Sequence, residues 1–199
     1  MESLKINRRS GLGDFWGLVL FLVLVLVGTL LINQFVFRSF NVVGPSMEPT
    51  LYTGDRLIVN RLPVTWSMLK FDSYIPERGQ VIVFKNPRFT AGAGDEYIVK
   101  RVIAFEGERV TVKNGVMTVY NGTNPAGFAV DETFKDPPGS PTTGTVDTVV
   151  SKDTIFVSGD HREGEYSYDS RNGLGLIPLY DIIGPVAVRI FPFTSIRLF

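Results

Sequence analysis

The sequence contains no cysteine and a single histidine, His161. The first absence excludes disulfides, thiolate metal sites and a cysteine nucleophile. The second leaves too few ligands for a histidine-based metal site, so neither a metal nor a cofactor is expected. Charge of one sign is missing too: Lys plus Arg and Asp plus Glu number 20 each, so no electrostatic excess points to nucleic acid. Ser46 sits in Gly-Pro-Ser-Met-Glu and not in the Gly-x-Ser-x-Gly elbow, and the α/β alternation that such an elbow needs is absent as well. No internal repeat is visible.

What the chain does have is a long apolar run. Residues 15–37 carry no charge, and residues 17–32 (GLVLFLVLVLVGTLLI) are almost purely aliphatic. That length suits one helical crossing, which needs roughly 20 residues. A cleaved signal peptide would have an apolar region of about 7 to 15 residues followed by a small-residue cleavage motif, and neither is present. The expectation is an uncleaved anchor over residues 15–37, with residues 1–14 before it. Lys5, Arg8 and Arg9 precede the run and Arg38 stands nearly alone after it, which places the N-terminus in the cytoplasm and residues 38–199 outside.

Beyond the anchor the chain breaks into short alternating, β-branched runs separated by Gly, Pro, Asn and Asp. Strands are expected over residues 56–60, 80–85, 97–105, 109–113, 116–120, 154–158 and 186–190. Asn114-Gly115 reads as a hairpin turn. With no strong amphipathic helix between them, these runs make the domain mainly β. Residues 121–145 turn to Pro, Gly and Thr, so a hairpin and loose insertion over about 114–153 is expected, without a core of its own. Asn121-Gly122-Thr123 matches a glycosylation acceptor, but a turn after a strand explains it better.

Chemistry needs a nucleophile and a base. Ser46 lies between Pro45 and Pro49, which restrict the backbone around it, yet a serine in such a turn is usually structural. His161, in Gly-Asp-His-Arg-Glu-Gly, has acidic neighbours, but a lone His in a polar loop is more often a surface or hydrogen-bonding residue. Lys100 is the stronger candidate. The strand period of two puts it on one face with Ile98, Val102 and Ala104, and puts Arg101 on the other with Tyr97, Val99 and Ile103. Two cations on otherwise apolar faces need partners or a purpose. Arginine cannot give up its proton, whereas burial can lower a lysine pKa of about 10.4 by roughly 3 to 5 units, enough for a general base. A lysine snorkelling from a strand edge fits the same segment. A third polar stretch, residues 159–175, offers Ser167, Asp169, Ser170 and Arg171 to orient an amine, or is simply an exposed loop.

In this order, behind an N-terminal anchor, the segments GPSMEPTL, GDRLIVNRL, RGQVIVFKNP, YIVKRVIAFEGE and GDHREGEYSYDSR resemble the bacterial type I signal peptidases of peptidase family S26. These membrane-anchored serine endopeptidases remove signal peptides from exported preproteins. The resemblance spans nearly the whole chain. It implies a β barrel-like Ser/Lys protease domain with Ser46 as nucleophile and Lys100 as general base. It implies that Ser167 hydrogen-bonds the lysine and that Asp169 and Arg171 form a supporting ion pair. It further implies that Gly159 keeps room beside the lysine and that Asp160 pairs with Arg101. Phe40, Val42, Met47, Leu51 and Val99 fall where the family lines pockets for small residues at substrate positions −1 and −3. The implied partners are signal peptides, the lipid bilayer and the secretion translocon, at the cytoplasmic membrane.

The sequence departs from the family pattern in places. Gly44 stands where some members place a serine hydroxyl for the oxyanion, and His161 stands where Asn is common. The loop to Ser167 is about two residues longer. Trp66, Met68, Leu69, Phe71, Phe191 and Phe193 suit either a membrane-facing surface or the core. The competing readings are an inactive membrane-tethered β module that only binds, and a soluble Ser/Lys autoprotease linked to transcription, which the anchor contradicts.

Overall fold

The structure is a computed structural model, and it describes residues 11–92, 94–138 and 141–199. Lys5, Arg8 and Arg9 lie outside the described residues. The first element is a helix, α1 (Gly11–Phe35). Its Gly13–Phe35 portion is long and apolar enough to cross a membrane, about 35 Å at 1.5 Å per residue. None of its side chains from residue 13 onward is buried against the rest of the chain. Of the expected span, residues 15–35 lie within α1, and Phe37 belongs to the first strand, β1 (Phe37–Asn41).

The strands β2 (Arg56–Asn60), β3 (Val81–Lys85), β4 (Tyr97–Phe105), β5 (Arg109–Lys113), β6 (Val116–Tyr120), β7 (Phe128–Ala129), β8 (Val146–Val149), β9 (Thr154–Ser158), β10 (Ile177–Pro178), β11 (Ile182–Phe191) and β12 (Arg197–Leu198) follow. A short helix, α2 (Leu62–Leu69), sits between β2 and β3. Its Pro63 lies in the first turn, where the missing N–H costs nothing. The larger sheet runs β1-β2-β11-β3-β4-β9-β10, with β12 paired to β11; the smaller runs β7-β6-β5-β8. Pairing in both sheets is antiparallel, so the protein is mainly β, as the alternation implied.

The Asn114-Gly115 hairpin forms as expected, with both residues at positive φ as a two-residue turn of this kind requires. The insertion is less loose than its composition suggested. Val130 and Phe134 are buried with Val110, Val112, Met117 and Val119 of the smaller sheet, and this cluster also contains Ile103, Ala104 and Phe156 of the larger one. Residues 128–134 thus help close the core between the two sheets.

A bulge re-aims β4. Val102 pairs with Val157 but Ala104 pairs with Phe156, so Ile103 is the extra residue on that strand. The expected alternation therefore holds up to Val102 and fails beyond it: Ile103 and Ala104 both enter the cluster beneath the smaller sheet. A change of register moves side chains from face to face, and the β9 pairing that imposes this one is set some fifty residues further along the chain.

Candidate active site

Ser46 projects from the loop between β1 and β2. That loop is tied down at both ends: Val42 N–H donates to the Asp55 carbonyl at 2.8 Å, and Gly54 N–H to the Val42 carbonyl at 2.9 Å. A tight turn follows Pro45, closed by Glu48 N–H to the Pro45 carbonyl at 3.0 Å and Leu51 N–H to the Met47 carbonyl at 2.9 Å. Met47 and Leu51 are wholly buried and hold the turn in the core. Ser46, between them and Pro45, is half-exposed.

Lys100 comes from the middle of β4. Its Nζ lies 2.7 Å from Ser46 Oγ and 2.9 Å from the Val99 carbonyl oxygen, and the residue is only 3% exposed. Burial lowers its pKa from 10.5 to about 8, although the carboxylates of Asp169 and Asp160 pull the other way. Removal from water penalises the ammonium more than these charges restore it.

Asp169 is also buried, and its own burial works to raise its pKa. The Arg171 guanidinium, Gly159 N–H and Ser167 hydroxyl outweigh that effect and hold the carboxyl below the usual carboxylate range. Arg171 Nη2 lies 2.7 Å from Asp169 Oδ2, and Gly159 N–H donates to the same oxygen at 2.9 Å. Ser167 differs from expectation: its hydroxyl donates to Asp169 Oδ2 at 2.7 Å, and the recorded partners of Lys100 are Ser46 and the Val99 carbonyl. Arg171 draws Asp169 close, and a carboxylate is a stronger acceptor than an amine beside it. Gly159 is required for space. A Cβ there would come within 2.2 Å of both Ser167 Oγ and the Ser46 carbonyl oxygen.

Asp160, fully buried, takes Arg101 Nε at 2.7 Å together with a second guanidinium bond and the Thr50 hydroxyl. Arg101 Nη1 donates to the Gly79 carbonyl at 2.8 Å. The two cations of β4 thus have different fates, as their chemistry implied: the arginine is paired and the lysine faces a hydroxyl. His161 is half-exposed, its ring stacked on Tyr166 with Nδ1 3.2 Å from the Pro45 carbonyl oxygen. Its backbone N–H donates to the Ser46 carbonyl at 3.1 Å, so the residue braces the serine's main chain.

One buried residue of this network carries no signal in the sequence. Arg162 is completely buried, donates from Nε to the Gly159 carbonyl at 2.9 Å, and forks onto Asp131 while also reaching Thr142 Oγ1 at 2.9 Å. It links the insertion to the loop that frames Ser46. In sequence it is one charged residue in a polar stretch, with nothing to separate it from Glu163 or Glu165.

Ser46 and Lys100 lie at one end of a cleft of about 260 Å³ bounded by residues 41–46 on one side and residues 97–100 on the other, with Asp95, Tyr166 and Tyr168 at its rim. The β4 pairing with β9 starts only at Arg101, so Tyr97–Lys100 have their β3 partners and a second edge without a strand. Phe40, Val42 and Val99 line a small recess of about 30 Å³ with Tyr97 and Ile98. Met47 and Leu51 do not line it; they lie beneath it in the same apolar cluster. Gly44, at φ +88°, has open space where a side chain would stand, so no hydroxyl is supplied from that position. The Ser46 N–H has no acceptor within the chain among the described residues.

Residues 15–191 match the family model described as signal peptidase, peptidase S26. The chain is 35% identical to signal peptidase I P of Bacillus subtilis subsp. natto, over 96% of this chain and 95% of that one. It is 33% identical to signal peptidase IB of Staphylococcus aureus (strain Mu50), over 90% and 88% of the two chains. A solved signal peptidase I from Enterococcus faecalis aligns with 22% identity and a TM-score of 0.41, covering 56% of this chain and 96% of that one. Taken with the paired serine and lysine at the head of a strand-lined cleft, the near full-length similarity shows that this chain belongs to the signal peptidase family, peptidase S26.

Proposed function

We propose that this chain is a type I signal peptidase, a serine endopeptidase that cuts signal peptides from exported preproteins with Ser46 as nucleophile and Lys100 as general base. The observation that carries the reading is the 2.7 Å separation of Ser46 Oγ from a buried lysine nitrogen whose pKa is lowered to about 8. At pH 7.4 such a lysine is neutral in about a fifth of molecules, against about one in a thousand for an unperturbed one. The neutral amine takes the hydroxyl proton as Oγ attacks the scissile carbonyl, then gives it to the leaving amine; water repeats the cycle on the acyl-enzyme. Ser46 N–H is the donor available to the oxyanion, an interaction worth about 3 to 4 kcal/mol in comparable proteases. Asp169 and Arg171 brace the loop that carries Ser167, and Asp160 with Arg101 fixes the far side of β4.

The unpaired edge of Tyr97–Lys100 and the facing segment of residues 41–44 suit an extended substrate added as a strand. The shallow recess of Phe40, Val42 and Val99 suits small side chains at positions −1 and −3, with Leu57 and Val83 completing its lining and Met47 and Leu51 packed in the apolar cluster behind it. α1 is read as the anchor in the cytoplasmic membrane, N-terminus inside and catalytic domain outside. Trp66, Met68, Leu69, Phe71, Phe191 and Phe193 are all exposed, Phe71 completely, which removes core burial as their explanation and favours contact with lipid. Signal peptides, the bilayer and the secretion translocon are the partners this reading implies.

The test mixes purified wild-type, Ser46→Ala, Lys100→Met and His161→Ala proteins separately with one preprotein in detergent and maps the cut by mass spectrometry. Wild type should cut after a small residue, the first two variants should be inactive, and His161→Ala should keep most of its rate. Wild-type activity in Lys100→Met would end the mechanism. A folded wild-type protein that cuts no precursor would favour the binding-module reading.

A further inference from the structure

Arg61 holds the one buried side-chain polar atom, among the described residues, that has no hydrogen-bond partner: its Nε is orphaned although the residue is only 8% exposed. No ion pair among those residues includes Arg61 or the neighbouring Arg38. Arg38 instead lies over the rings of Phe40 and Tyr97, at 5.1 and 4.5 Å. Burial and the charge of Arg38 both lower the Arg61 pKa, with Tyr97 acting in the opposite direction. Two guanidiniums near enough for the charge of one to act on the other, with no anion paired to either, cost stability. A planar fork with unused donors matches a phosphate.

Their position supplies the rest. Arg61 N–H donates to the Val36 carbonyl at 2.8 Å and Thr65 Oγ1 to the Phe35 carbonyl at 2.8 Å, so the start of α2 is stitched to the end of α1. Arg38 follows α1 directly, at the depth where lipid headgroups would lie if α1 spans the bilayer. Leu62, Trp66 and Leu69 of α2 are exposed beside the pair and provide apolar surface for the lipid below the headgroup.

We propose that Arg38 and Arg61 bind the phosphate of an anionic phospholipid where α1 leaves the bilayer, a site separate from the Ser46–Lys100 cleft. The proposal rests on the reading of α1 as a membrane span and not on the peptidase chemistry. It is tested by native mass spectrometry of the full chain in detergent, titrated with phosphatidylglycerol or phosphatidylcholine, for wild type, Arg38→Gln and Arg61→Gln. Wild type should retain phosphatidylglycerol at least tenfold more tightly than phosphatidylcholine, and each substitution should weaken the former about fivefold while leaving the latter unchanged. Equal retention of the two lipids by wild type, or unchanged phosphatidylglycerol binding in Arg38→Gln, would overturn the proposal. Thermal unfolding establishes that each variant is folded, and if Arg61→Gln is not, the half-buried Arg38 decides. Displacement of the lipid by millimolar inorganic phosphate would assign the pair to the free ion and also overturn it. Preprotein cleavage by the same wild-type preparation scores the peptidase reading separately.

Discussion

Gly159 and Ser46 meet backbone to backbone: a Cβ at position 159 would stand 2.2 Å from the Ser46 carbonyl oxygen. No flexible side chain can yield at this contact. The same carbonyl accepts the His161 N–H at 3.1 Å, so displacing it also loosens the loop that follows β9. Gly159→Ala should therefore move Ser46, the proposed nucleophile, by a substantial fraction of an ångström, and misplacement on that scale costs about a hundredfold in rate. The expected result is a folded protein whose kcat/KM on a preprotein peptide falls about that far. Adding Ser167→Ala should not restore the rate, because it removes the Ser167 clash and leaves the one with Ser46.

The lowered Lys100 pKa sets the pH dependence. With Lys100 as the proposed base the neutral amine is the active form, so kcat/KM should rise about tenfold per pH unit below about 8 and level off above it. Asp169 raises that pKa through its charge. Asp169→Asn, if it folds, should move the ascending limb to lower pH while reducing the plateau, because the amide keeps only one acceptor oxygen and no charge where two carboxylate oxygens serve Arg171, Gly159 and Ser167. A profile flat between pH 6 and 9 would contradict a lysine base.

Lys100 also carries a stability cost. Its folded pKa of about 8 lies below the ordinary 10.5, so between these values the unfolded chain binds the extra proton. Stability should therefore rise with pH across that window, by about 3 kcal/mol at most, and the full cost should be present below pH 8. Lys100→Met removes the cost. Denaturant unfolding near pH 7 should show it to be more stable than wild type by roughly 1 to 3 kcal/mol, while its activity is lost. An inactive and destabilised Lys100→Met would mean that the lysine is structural.

The parts of the molecule legible in the sequence are those that local chemistry decides. The strands β2, β4, β5, β6 and β9 sit where alternating β-branched residues stop at Gly, Asn or Asp. Ser46 and Lys100 could each be singled out from their surroundings, but 54 residues separate them, and their pairing came from the family resemblance. What stayed hidden depends on partners far along the chain. β1 begins with Phe37, which reads as membrane until Asn60 of β2 pairs with it. The bulge at Ile103 exists only in register with β9. The family resemblance implies a bond from Ser167 to the lysine, and its bond to Asp169 instead follows from where Arg171 places that carboxylate.

Arg162 is the extreme case, since both its burial and its role are set by Asp131, 31 residues earlier. The guanidinium joins three things: the Gly159 carbonyl, the insertion's Asp131 and the Thr142 hydroxyl. Its own carbonyl accepts from Arg171 Nη1 at 3.0 Å, so it also steadies the residue that holds Asp169. Breaking a buried pair on one side leaves an uncompensated charge, which typically costs about 3 to 5 kcal/mol. Asp131 is part-exposed, so the loss from Asp131→Asn should be smaller, about 1 to 2 kcal/mol by denaturant unfolding. Because Arg162 touches neither Ser46 Oγ nor Lys100, Asp131→Asn should lower kcat more than it raises KM and leave the apparent pKa of the pH profile near 8. A changed pKa with unchanged kcat would mean that the insertion acts on the lysine itself, and the path through the Gly159 carbonyl would be wrong.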